Sequence, residues 1–222
     1  MARDASPLVL LCAGGTGGHL FPAEALAVVL TKRGLAVELA TDVRAAHFKF
    51  PARAVHLIPS ATLRGRDPVS LLYTATMLAA GIGKAWLTIG QIRPRVVVGF
   101  GGYPTVPPLV AAWWRRVPTI LHEQNGVMGR ANRALAKRVT AIATGFRVLT
   151  NVDDRLRVKM NFTGNPVRQN VIEASLAPYA APGAGGQVRL LVFGGSQGAR
   201  VMSEIVPKAV ALMSTDLRAR LH

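Results

Sequence analysis

The stretch LVLLCAGGTGGHLFPAEALAVVLTKRG (residues 8–34) decides the fold. It opens on a uniformly apolar run, LVLLCA (8–13), the pattern of a strand buried on both faces. Glycines then surround Thr16 in a tight turn, and His19 follows at once. From about Pro22 to Arg33 apolar residues recur at helical spacing, and Gly34 stops the pattern. Strand, glycine turn and helix in this order open a doubly wound α/β domain, in which ligands sit at the carboxyl ends of the strands.

The same grammar continues down the chain. Strands are expected at 36–41, 54–59, 95–100, 119–124, 141–144 and 159–164. Helices are expected over 68–92, from Pro104 or Pro107 to Trp113 and Trp114, and over about 130–138. Strands without polar alternation, separated by helices, predict a parallel sheet covered on both faces. An Ala-, Pro- and Gly-rich segment, APYAAPGAGGQ (177–187), reads as a linker or surface loop. Beyond it the opening recurs: RLLVFGGSQG (189–198) again sets an apolar strand before a glycine turn, and ARVMSEIVPKAVALM follows as a helix. Two such units so far apart suggest two similar domains. The second has few residues left before His222, so the expectation is a truncated chain; a last strand of the first sheet is the alternative.

The chain has 222 residues, 27 Lys and Arg against 11 Asp and Glu, and a net charge of +16, which points to an anionic partner. From Pro68 to Val152 the only acid is Glu123, amid basic residues that run from Lys84 to Arg147. The single cysteine, Cys12, lies inside the first strand and excludes an internal disulfide. The uncharged window PVSLLYTATMLAAGIG (68–83) is shorter than a bilayer span, so a surface-lying or buried helix is expected there, and no signal peptide is read at the amino terminus.

Three glycine turns follow apolar strands: GGTGGH (14–19), GFGGYP (99–104) and GGSQGAR (194–200). Glycine lets backbone approach a ligand closely, and the helix behind such a turn offers free N–H groups to phosphate. None is a P-loop or a standard dinucleotide fingerprint, although Asp42 stands near where the latter places its acid. Together they favour diphosphate or nucleotide handling. LHEQN (121–125) ends a strand with a ring, a carboxylate and an amide, which suit either a site or a loop anchored by His122 and Glu123. His19, at a helix entry, suits a neutral general base or a residue bonded to the backbone. Asp153-Asp154 is an exposed loop pair with no DxD or His-rich cluster near it, so no metal and no cofactor are expected.

Six motifs in order, AGGTGGHLFP, LRG (63–65), GFGGY, LHEQN with Asn132, GNPVR (164–168) and GGSQGAR, are similar to those of the MurG family of bacterial glycosyltransferases and cover essentially the whole chain. The resemblance implies a GT-B fold of two Rossmann-like domains. The amino-terminal, acceptor- and membrane-binding domain would span 1–166 and a hinge 167–187; residues 188–222 would start the donor domain. It also implies inverting transfer of N-acetylglucosamine from UDP-N-acetylglucosamine to the C4 hydroxyl of undecaprenyl-diphosphate-linked muramyl-pentapeptide. That step belongs to peptidoglycan synthesis, hence to cell-wall growth and division.

By the same resemblance His19 is the candidate general base, with Glu123 beside it as a catalytic candidate. Thr16, Gly17, Gly18, Asn125, Arg168 and Ser196 are donor-binding candidates. Gly14, Gly15, Gly101, Gly102, Tyr103, His122 and Asn132 are acceptor or cleft candidates. The helix after Pro68, with Trp113 and nearby basic residues, resembles a patch seated on the anionic cytoplasmic face of the inner membrane. The 222 residues alone are expected to have little or no transferase activity. Nucleic acid is not an expected partner, because aromatic–basic interleaving and nucleic-acid motifs are absent. Two competing readings are a basic α/β nucleic-acid-binding module, which the charge supports, and another GT-B nucleotide-sugar transferase.

Overall fold

A computed structural model describes residues 6–45, 47–61, 67–183, 185–194 and 200–222. The chain divides into two compact units, Met1–Val171 and Ile172–His222.

The first unit is built on seven parallel strands: β1 (Leu8–Cys12), β2 (Ala36–Thr41), β3 (Val55–Leu57), β4 (Val96–Gly99), β5 (Thr119–Glu123), β6 (Ala141–Thr144) and β7 (Met160–Phe162). Their spatial order is β3-β2-β1-β4-β5-β6-β7. Successive side chains of a strand point to opposite faces, and β1 supplies both sides of the core. Val9, Leu11 and Ala13 pack with Val98 and Phe100 under α1 (Gly17–Lys32), through Leu20, Ala23 and Ala27. Leu10 and Cys12 pack with Val97, Leu121 and Ile142 under α2 (Pro68–Ile92) and α3 (Val106–Trp114). Burial pushes the Cys12 thiol far above its usual range, so it is an inert core residue.

Helix boundaries follow local chemistry. Asp67 caps α2 by accepting from the Ser70 N–H at 2.9 Å, with Pro68 in the first turn, and the helix stops at Arg93, which takes a left-handed φ of 49°. The start of α1 differs from expectation. It begins at Gly17, ahead of Pro22, so His19 lies in the first helical turn. Pro22 is inside the helix and lacks only the N–H that Gly18 would have received, which an early position tolerates.

The second unit holds α5's continuation and two further helices; α5 spans Gln169–Ser175, α6 Arg200–Ala211 and α7 Thr215–Arg220, and α4 of the first unit spans Arg130–Leu135. The strand expected at 189–193 is not formed. Among the described residues a single parallel bridge, Val188 with Leu221, flanks that segment, and Leu190, Leu191 and Phe193 are exposed. The backbone bonds Val188 N–H to Arg220 O and His222 N–H to Val188 O run alongside at 2.8 and 2.9 Å. One bridge gives too short a ladder to hold a strand.

Candidate active site

The connections after β1 and β4 leave the sheet in opposite directions, because β2 lies on one side and β5 on the other. Strand order reverses between these neighbours, and a crevice opens there at their carboxyl ends. The two glycine turns are the chain segments that line it.

In the first turn the Thr16 N–H donates to Gly14 O at 2.8 Å, and Ala13 O is held by the Thr41 hydroxyl at 2.8 Å. Thr16 occupies the N-cap of α1, yet its hydroxyl makes no capping bond; it meets His19 Nδ1 at 2.9 Å instead. Gly15 lies so close to Arg44 and Asp42 that a Cβ would collide with the Arg44 side chain, whereas Gly18 is exposed and open. Asp42 is not a ribose acid in this arrangement. Its Oδ2 accepts from Arg44 Nε at 2.7 Å and its Oδ1 from the Arg44 backbone N–H at 3.1 Å.

In the second turn Gly101 and Gly102 have φ of 89° and 77°, a left-handed backbone that favours glycine. The turn runs straight into Tyr103, half-buried at the start of a 3-10 turn (Tyr103–Thr105). The His19 ring covers both glycines: a Cβ on Gly101 would stand 3.3 Å from its Nε2, and one on Gly102 3.5 Å from its Cε1. His19 therefore joins the two turns. Burial lowers its pKa; the Glu123 carboxylate partly offsets this, and Arg44 adds to the lowering. The neutral ring dominates at pH 7.

LHEQN forms a polar knot around the buried His122 and Glu123. Glu123 is 1% exposed, and both carboxylate oxygens are occupied. Oε1 accepts from the Asn125 backbone N–H at 3.1 Å and from Asn125 Nδ2 at 3.2 Å. Oε2 accepts from the Gly129 N–H at 2.9 Å and from Asn132 Nδ2 at 2.8 Å. Asn132 Oδ1 is buried without a partner, and its amide nitrogen lies beside Gly101. His122 stacks on Phe100 with centroids 5.4 Å apart; its Nε2–H donates to Gly164 O at 3.1 Å, while Nδ1 accepts from Gln124 Nε2 at 3.1 Å. Burial lowers its pKa, with the Gly164 bond and Glu123 acting against that.

Arg168 stacks over the Phe21 ring at 3.9 Å, and the same ring closes on Gly17. It therefore stands at the start of α1 within the first unit. Ser196, the rest of the third glycine turn through Ala199, and LRG (63–65) lie outside the described residues. Asp153 and Asp154 pair with Arg155 and Arg157. Phe21, Gln124 and Gly164 are contributors that sequence reasoning missed. Phe21 stood inside HLFP, and Gly164 inside GNPVR, but neither carries a polar side chain that marks a site.

The carboxyl-terminal parts of α2 and α3 present an exposed aromatic and basic surface. Trp86 and Trp114 meet edge to face at 6.5 Å, Arg115 lies over Trp86 at 4.1 Å, and Arg138 lies over Trp113 at 5.3 Å. Among the described residues no helix is long and apolar enough to cross a membrane.

Residues 9–144 match the family model described as the glycosyltransferase family 28 N-terminal domain. The chain is 56% identical over 218 residues to a Rhodopseudomonas palustris protein named UDP-N-acetylglucosamine–N-acetylmuramyl-(pentapeptide) pyrophosphoryl-undecaprenol N-acetylglucosamine transferase; the match covers 97% of this chain and 60% of that protein. A Chelativorans protein of the same name is also 56% identical, over 96% of this chain and 57% of its own length. The chain thus spans about 60% of the length of the curated relatives it matches. Among solved structures, Acinetobacter baumannii MurG superposes with a TM-score of 0.67 at 25% identity, covering 94% of this chain and 58% of that one. A glycosyltransferase of kitacinnamycin shares the fold, with a TM-score of 0.63 at 16% identity over 93% of this chain and 63% of that one.

Proposed function

The chain belongs to glycosyltransferase family 28 through that family's amino-terminal domain, and from this premise we propose that the whole protein transfers N-acetylglucosamine from UDP-N-acetylglucosamine to the C4 hydroxyl of undecaprenyl-diphosphate-linked muramyl-pentapeptide. The names of its relatives support the substrates. The observation that carries the reading is His19, held by Thr16 and laid against Gly101 and Gly102. One titratable ring then faces both turns suited to a diphosphate.

The chemistry follows from the tautomer. When Nδ1 carries the proton and donates to Thr16 Oγ1, Nε2 keeps its lone pair and is the base. The Thr16 hydroxyl is then free to donate its own proton to a phosphate oxygen. The C4 hydroxyl of the muramyl sugar gives its proton to Nε2 as its oxygen bonds to C1 of the donor sugar. The bond from C1 to the UDP oxygen breaks with its electron pair leaving on UDP, and the configuration inverts. Gly14, Gly15, Gly101 and Gly102 line the acceptor side, with Tyr103 and Asn132. Thr16, Gly17, Gly18, Asn125, Arg168 and Ser196 serve the donor. Glu123 and His122 hold the loop, and the Glu123 charge also acts on the His19 ring.

The division into 1–166, 167–187 and 188–222 belongs to the same reading, with the last segment beginning the donor domain. So does seating on the anionic cytoplasmic face of the inner membrane through Trp86, Trp113, Trp114 and their arginines, and with it a role in cell shape and division.

Titration of the chain with lipid-linked muramyl-pentapeptide and with duplex DNA tests the proposal. Saturable binding of the acceptor, weakened by Gly101→Ala, is the expected result. Salt-sensitive binding of DNA with no binding of acceptor overturns it in favour of a nucleic-acid module.

A further inference from the structure

A cavity of about 720 Å³ lies between the ends of β2 and β3 and one side of α2 from Ser70 to Lys84. We propose that it receives the first isoprenoid units of the lipid-linked acceptor; the proposal rests on the reading that this acceptor's diphosphate binds the glycine turns. The cavity's apolar wall is Leu57, Ile58, Pro59, Tyr73 and Met77. Its volume is that of a small-molecule site.

Two boundaries fix its place along such a substrate. At one end Asp42 and Arg44 line it, and these are the side chains against which Gly15 of the first glycine turn packs. At the other end is Tyr73, which is 61% exposed and shares its helix face with the exposed Val69 and Leu72. The cavity therefore connects a phosphate-suited turn to an apolar helix surface. A sugar diphosphate that reaches the turns from a membrane must draw its nearest isoprene units out of the bilayer. Exposing them to water costs free energy in proportion to their area, and an apolar wall removes that cost.

The polar groups favour a hydrocarbon chain over the acidic peptide stem. Asp42 and Arg44 neutralise each other, and the Thr74 hydroxyl is spent on Ser70 O at 2.8 Å. Among the described residues Lys84 is the one lining cation without an ion pair, and it is exposed. Several carboxylates would find too few partners there, whereas its methylenes extend the apolar wall.

The test uses the 222-residue chain and three probes: muramyl-pentapeptide diphosphate without lipid, the same headgroup carrying a farnesyl chain, and farnesyl diphosphate. The farnesylated headgroup should bind at least about tenfold more tightly than the bare one. Ser70→Trp, which fills the cavity, and Met77→Asp, which charges its wall, should bring that ratio towards one without changing the affinity of the bare headgroup. Equal binding of the two headgroups by the parent chain overturns the proposal, as does a ratio that neither variant moves. Loss of bare-headgroup binding in Ser70→Trp also overturns it, by making the peptide or sugar the occupant. Should the bare headgroup fail to bind at all, the proposed function fails, and farnesyl diphosphate still reads the cavity: binding abolished by Ser70→Trp supports it, and no binding overturns it. A photoreactive group on the farnesyl chain needs no variant. Adducts on Tyr73 or Met77 are expected, and adducts confined to Trp86 and Trp114 overturn the assignment.

Discussion

His19 lies over Gly101 so closely that a Cβ at position 101 would sit 3.3 Å from both Cδ2 and Nε2 of the ring. The contact makes the second glycine turn a floor for the histidine of the first. Gly101→Ala would strain a backbone at φ 89° and push the ring away at once. We expect a stability loss of about 1–2 kcal/mol, read by urea unfolding, and weaker acceptor binding by titration.

His19→Ala, in a chain of the relatives' full length, is expected to lower kcat by about 100-fold or more, with KM changed little, because a base acts on the reacting proton and not on binding. Thr16→Val should lower kcat less while leaving the ring in place. It removes the partner that favours a proton on Nδ1. Steady-state kinetics at saturating acceptor separates the two.

Much of the fold was legible because apolar runs and helical spacing carry it. The helix expected over 68–92 matches α2 at both ends. The start of α1 was hidden by Pro22, which looks like a first helical residue. The strand at 189–193 was written in its composition, but a strand also needs a neighbour, and composition does not supply one. In the site, LHEQN stood out by its polarity at a strand end. That His122 ties down Gly164, or that Phe21 underlies Arg168, rests on contacts between residues far apart in sequence, which no local pattern encodes.

Glu123→Gln is expected to destabilise the protein by about 3 kcal/mol. An amide can accept on one side only, so its NH2 group would confront the N–H groups of Asn125 or those of Gly129 and Asn132. Chemical denaturation measures the loss. The change also removes the charge that raises the His19 pKa, so in a chain of the relatives' full length the acid limb of the kcat profile should move to lower pH. A carboxylate that merely supported the loop would leave that limb in place.

His19 and His122 both have pKa values lowered by burial from the ordinary 6.5. Above 6.5 both are neutral in the folded and unfolded chains, and they contribute nothing to the pH dependence of stability. Below it the unfolded chain takes up protons that the folded chain resists, so stability falls as pH drops from about 6.5 through the folded values. Thermal unfolding between pH 7.5 and pH 5 (roughly the range in which histidine titrates) should show a falling midpoint. The slope should be shallower in His122→Phe, which keeps the stacking on Phe100 and removes one titrating group.

Gly81 sets how closely α2 approaches β3. A Cβ there would run into the backbone oxygen of Pro59, which cannot turn aside as a side chain can. In a free helix Gly→Ala gains about 1 kcal/mol. Overpacking against fixed backbone costs about 1–3 kcal/mol, and here the second effect wins. Gly81→Ala should therefore lower the unfolding free energy, whereas Gly83→Ala, two residues on with open space around it, should raise it. Denaturant midpoints of the pair settle the comparison, because the same substitution in the same helix then changes stability in opposite directions.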